Sequence, residues 1–254
     1  MSCHLHGLSV LVTRPAGQSH ALCEAIENAH GRPVRFPVVE ILPPEDPEAA
    51  RRVLARADEA DLLVFVSANA VRHAFDALPE TLPATVEIAA VGRATARALE
   101  EAGLEPTLVP EGRYDSEGLL ALPRLQQMAG KRVILVRGEG GRELLAAELA
   151  RRGAEVVHAE VYRRRCAERS ARNLVANWDA LVQAVVVTSV EIFDCLWRLL
   201  GDAGRARLVE TPLVAISARV AQHARAAGCR RVRVAEQASD HAILRALCRL
   251  GEEA

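Results

Sequence analysis

Six short stretches of the chain put small, hydroxyl or glycine residues directly after an apolar run: Thr13-Arg14-Pro15, Ser67-Ala68-Asn69, Gly92-Arg93-Ala94-Thr95, Gly138-Glu139-Gly140-Gly141, Thr188-Ser189 and Ser217-Ala218-Arg219. Where such a stretch closes a strand and opens a helix, backbone N–H groups are left without intrahelical partners and attract anions. Ligands of open α/β sheets gather beyond the carboxyl ends of the strands. The set therefore points to an anionic ligand. Each member also has an everyday reading. Ser, Thr and Asn open helices as N-caps with no ligand involved, Gly138-x-Gly140-Gly141 lacks the full dinucleotide fingerprint, and Arg14 suits a solvated or structurally paired cation as well as a ligand contact. Recurrence of the turns in both halves of the chain favours the ligand.

A second candidate is Tyr162, one of only two tyrosines, in the short β-prone stretch His158-Ala159-Glu160-Val161-Tyr162-Arg163. A lone aromatic in a strand packs a core, and a phenol facing a cleft donates a proton; both readings stand at this point. Other chemistry is missing. No H-E-x-x-H, Walker A or G-x-S-x-G motif occurs. His4 and His6 lie near the terminus without a third ligand, so no metal site is expected. His20, His73, His158, His223 and His241 are scattered and suggest no triad.

The elements that must position these residues repeat. Arg14 and Arg137 stand 123 positions apart, as do Val38 and Val161; Ser67 and Thr188 stand 121 apart, Gly92 and Ser217 125. Apolar runs at 8–13, 61–66, 85–91, 131–136, 185–187 and 212–216 read as strands, 106–109 as a short one, and each of the main runs is followed by a helical pattern. The first helix is expected to close at Gly31, and Asp115 to cap another. Alternation of strand and helix predicts two similar α/β lobes with parallel sheets flanked by helices. Arg35-Phe36-Pro37-Val38-Val39-Glu40-Ile41 and the Tyr162 stretch read as the crossings between them. Lobe one is then 1–36 plus 167–254, lobe two 42–157, and the crossings 37–41 and 158–166.

The chain has 254 residues, 32 Lys+Arg against 33 Asp+Glu, which argues against a nucleic-acid binder held by bulk charge. No apolar run reaches membrane-spanning length and no signal peptide is evident, so a cytoplasmic protein off the membrane is expected. Six cysteines without a C-x-x-C pair read as buried thiols.

With these residues assembled, the chain resembles the uroporphyrinogen-III synthase family. The matching pieces are Val12-Thr13-Arg14-Pro15, Phe36-Pro37-Val38-Val39-Glu40-Ile41, Phe65-Val66-Ser67-Ala68-Asn69-Ala70-Val71, Ala90-Val91-Gly92-Arg93-Ala94-Thr95-Ala96, Ser116-Glu117-Gly118-Leu119-Leu120, Val161-Tyr162-Arg163 and Val187-Thr188-Ser189. Each is degenerate; their order along the chain is the specific signal. The resemblance implies two lobes joined by a two-stranded β-ladder, a monomer, and no metal or organic cofactor. It implies a linear tetrapyrrole substrate, hydroxymethylbilane, cyclised with loss of water and inversion of the last pyrrole ring. It also implies that Tyr162 assists loss of the substrate hydroxyl, and that Ser67, Thr95 and Ser189 contact the tetrapyrrole. Asn69, Gly138, Thr188 and Ser217 join them as turn residues, with Arg14. Where the family places a threonine in the last turn, this chain has Arg219, which could pair with a substrate carboxylate. The competing expectation is a two-lobed binding or regulatory module for an anionic ligand, without catalysis.

Overall fold

Strands that are apolar without alternation must be covered on both faces, and parallel pairing with helical crossovers does this. The computed structural model describes residues 3–141 and 143–251. The chain runs through β1 (Ser9–Val12), α1 (His20–Asn28), β2 (Arg32–Arg35), β3 (Val39–Leu42), α2 (Pro47–Leu54), β4 (Leu62–Phe65), α3 (Ala68–Ala74), β5 (Glu87–Ala90), α4 (Arg93–Glu101), α5 (Ser116–Leu120) and β6 (Arg132–Gly138). It continues through α6 (Leu144–Arg151), β7 (Glu155–Cys166), α7 (Arg172–Ala176), α8 (Trp178–Leu181), β8 (Ala184–Val187), α9 (Val190–Leu208), β9 (Leu213–Ala215), α10 (Ala218–Ala226), β10 (Val232–Val234) and α11 (Asp240–Gly251). Contacts divide the chain into a first unit, Met1–Glu40 with Arg165–Ala254, and a second, Ile41–Arg164.

In the first unit the sheet order is β10-β9-β8-β1-β2, every pair parallel. In the second it is β3-β7-β6-β4-β5, with β7, β6, β4 and β5 parallel to one another. The sequence repeat maps onto this order. β1, β2, β8 and β9 of the first unit correspond to β6, β7, β4 and β5 of the second. The run at 106–109 takes the place of β10 but forms only a single parallel bridge, Leu108 to Ala89. Pro106 removes a ladder donor there, so the expected strand does not develop.

Each core follows from the two-residue period of a strand. In the second unit Leu63, Phe65, Ile88, Ala90, Ile134 and Val136 join one buried cluster with α3 and α4, while Leu62, Val64, Ala89, Val133 and Leu135 join the cluster on the other face with α5 and α6. In the first unit Val10, Val12, Val186 and Val214 pack with α1 and α11. The turns hold as expected where a side chain can cap. Asp115 accepts from the Gly118 N–H at 2.8 Å, and Asp46 from the Ala49 N–H at 2.9 Å, with Pro47 opening α2.

Two further expectations are corrected. The left-handed residue that ends α1 is His30 (φ 59°), not Gly31; Gly31 is required because a Cβ there would stand 2.7 Å from Leu5 Cδ1 and 2.8 Å from Ile26 Cγ2. Four of the six cysteines are paired, Cys3 with Cys248 and Cys166 with Cys195, leaving Cys23 and Cys229 as buried thiols. Separations of 245 and 29 residues carry no pairing signal in the sequence, and only the fold brings the sulfurs together. No helix of the described residues is long and apolar enough to cross a membrane.

Candidate active site

The carboxyl ends of β4, β5, β6 and β7 form one edge of the second unit's sheet, because Phe65 pairs with both Ala90 and Val136. At this edge β7 is irregular. Arg137 pairs with Glu160 but Gly138 pairs with Tyr162, so Val161 is an extra residue in the ladder. Such a bulge turns the following side chain away from the position it would otherwise take. Tyr162 is thereby set opposite Gly138, and its carbonyl accepts the Glu139 N–H at 2.8 Å.

The partner at that position has to be glycine. A Cβ on Gly138 would stand 2.6 Å from Tyr162 Cζ and 2.7 Å from Cε2, closer than carbon atoms approach. The tyrosine is 6% exposed. Its hydroxyl lies 3.1 Å from Ser67 Oγ. Ser67 in turn caps α3, its Oγ accepting the Ala70 N–H at 3.1 Å. A serine oxygen that accepts from the backbone still has a proton to give and a lone pair to spare. It can receive the phenol proton or donate to a phenolate.

His73, one of the histidines that show no pattern in the sequence, stacks on Tyr162 with ring centroids 5.7 Å apart and planes 28° apart. His73 is exposed at the end of α3; the partial desolvation of its ring, with the cation of Arg72, holds its pKa below the usual histidine value, so the ring is neutral at neutral pH. Nothing in the sequence separates it from its fellows, since its contact depends on the bulge in β7. Thr95 is buried on α4 after its Gly92 N-cap, and Asn69 is half-buried in the first turn of α3.

The remaining candidates belong to the first unit, at the carboxyl ends of β1, β8 and β9. Ser189 caps α9 by accepting the Ile192 N–H at 3.1 Å, and Thr188 precedes it, half-buried. Ser217 starts α10 without a side-chain capping bond, and Arg219 is exposed in its first turn. Arg14 is paired with Asp240 at 2.5 Å, so any ligand contact there competes with a carboxylate already in place. Thr13 is fully buried and its hydroxyl donates to the Val186 carbonyl at 2.7 Å, a structural bond between β1 and β8.

A family model described as uroporphyrinogen-III synthase HemD matches residues 20–245. The chain belongs to the uroporphyrinogen-III synthase family. Its curated relatives include uroporphyrinogen-III synthase of Escherichia coli strain K12, 37% identical over 245 residues that cover 94% of this chain and 100% of the relative. The Salmonella typhimurium uroporphyrinogen-III synthase is 35% identical over the same shares. Among solved structures, a mutant uroporphyrinogen III synthase of Thermus thermophilus superposes with a TM-score of 0.64 at 24% identity, covering 97% of this chain and 100% of that one. The similarity to that structure bears on the fold, which is the two-lobed α/β fold of uroporphyrinogen-III synthases.

Proposed function

We propose that the chain converts hydroxymethylbilane to uroporphyrinogen III, as a lyase that closes the macrocycle, inverts the last pyrrole ring and releases water. The observation that supports this beyond family membership is the Tyr162 phenol held by Ser67 at the carboxyl edge of the sheet. Tyr162 donates a proton to the departing hydroxyl as the C–O bond breaks. The electron pair leaves with the oxygen as water, and the pyrrole nitrogen stabilises the resulting methylene cation. Attack by the substituted pyrrole carbon gives a spiro intermediate that opens and recloses in the inverted sense. The ring proton lost at the end restores the phenol.

Ser67 stabilises the transient phenolate by turning its hydroxyl proton toward it, a charge-assisted bond that exists only after proton transfer. The substrate carboxylates are received by backbone N–H groups at the helix starts bearing Ser67, Asn69, Thr188, Ser189 and Ser217, with Gly138 at the end of β6 and Thr95, Arg14 and Arg219 alongside. Most of the rate comes from holding a flexible chain in the folded geometry that favours inversion over direct closure. The test is to supply fresh hydroxymethylbilane to the purified protein without metal or cofactor, oxidise the product and separate the porphyrin isomers. Type III in excess over the spontaneous type I is expected. Type I alone from folded protein would sink the proposal in favour of a binding module.

A further inference from the structure

Ser67 and His73 lie on one helix, at the cap and near the end of α3, and both touch Tyr162: the first at the hydroxyl, the second on the ring face. A tyrosine ring has two side-chain torsions to fix. The bond to Ser67 restrains the oxygen, and Gly138 clears the space the ring fills. Neither stops the ring from turning about χ2, because the hydroxyl oxygen lies on that axis and a missing Cβ exerts no force. A second ring laid against the first does. We infer that His73 is a positioning residue for Tyr162, its stacked imidazole fixing the plane of the phenol without exchanging a proton with it.

The surroundings of the imidazole agree with that role. The cavity beside it, about 440 Å³, is lined by Arg51 on α2, Asp76 just past α3 and Val161 in β7, together with Pro43, Pro44 and Pro47. Val161 is the bulged residue itself, so the same irregularity that aims Tyr162 shapes the space next to His73. The cavity leaves the exposed histidine uncrowded on that side, and Tyr162 is the ring it stacks on. A neutral ring in this place sets no charge beside the phenol, and the depressed basicity of His73 is consistent with that.

The inference rests on the synthase reading for its kinetic readout but has a second readout that does not. His73→Ala is expected to lower kcat about 3- to 10-fold, the size of one aromatic contact, with KM unchanged. His73→Phe keeps a stacking face and should restore the parent rate to within about 2-fold. In a Tyr162→Phe background His73→Ala should cost nothing further, because there is no O–H bond left whose direction the ring plane sets. Parent kcat in His73→Ala, a His73→Phe variant as slow as His73→Ala, or an undiminished cost in the double variant would each overturn it. If the parent protein forms no type III isomer, the synthase reading fails by itself. The geometry is then read by NMR in Tyr114→Phe, which leaves Tyr162 as the only tyrosine. Removal of the His73 ring current must move the Tyr162 ring signals, and unmoved signals would end the inference.

Discussion

At the scale of single residues, the site is defined as much by a missing side chain as by those present. Gly138→Ala brings a Cβ against the Tyr162 ring, where nothing can yield without displacing the phenol from Ser67. We expect kcat to fall by at least about 10-fold, less than the usual range for a lost general acid, with a stability loss of about 1–3 kcal/mol from overpacking. Parent kinetics in that variant would mean that the ring position does not matter. Away from the site, Asp61 receives the Lys131 ammonium at 2.7 Å and the Arg132 N–H at 2.9 Å, and these bonds hold its pKa below the ordinary 3.8. A carboxylate depressed in the folded state contributes stability above its unfolded pKa and loses it as pH falls through the folded one. Denaturation midpoints of the parent and Asp61→Asn should differ at neutral pH and converge in acid below pH 3.8. Tyr162, Ser67 and Gly138 are visible in the sequence as candidates. Their mutual contact is not, because it depends on one extra residue in β7 that no periodicity reveals. His73 is hidden for the same reason.

At the scale of elements, the helix starts carry two roles in one residue. Ser67→Ala removes the α3 cap and the phenol's partner together. It should cost about 1 kcal/mol of stability and slow turnover, and Ser67→Thr, which keeps the hydroxyl, should recover most of both. Ser189→Ala loses a cap of the same kind on α9 and is expected to show the stability cost in thermal unfolding without the loss of a phenol partner. Element order is legible because unalternating Val, Leu and Ile runs followed by small polar turns have few other solutions. The offsets of 121–125 residues between halves reappear as matching positions in the two sheets. The run at 106–109 misleads, since its β-branched content suggests a strand while Pro106 denies it a donor.

At the scale of the whole molecule, the two α/β units share the order of four corresponding strands, and the chain passes from one to the other within β3 and again within β7. Tyr162 stands close to Arg164, the last residue of the second unit, on the strand that makes the return passage. The cysteines are the feature least legible from sequence, since pairing needs the fold. The unreduced protein should show two thiols on denaturation, Cys23 and Cys229, and neither should react rapidly while folded; burial pushes the Cys229 thiol up to about 11. Alkylation and mass spectrometry before and after reduction count them directly, and six thiols in unreduced protein would contradict the pairing.

The measurement that bears most directly on the account is single-turnover conversion of hydroxymethylbilane by Tyr162→Phe, followed by separation of the porphyrin isomers. The ring, its bulge and its stacking partner survive that change; only the hydroxyl and its proton are lost. A rate reduced about 10- to 1,000-fold with unchanged substrate affinity, and type III still favoured among what is formed, is the predicted result. Turnover at the parent rate would contradict the role given to the phenol and move the proton donor elsewhere.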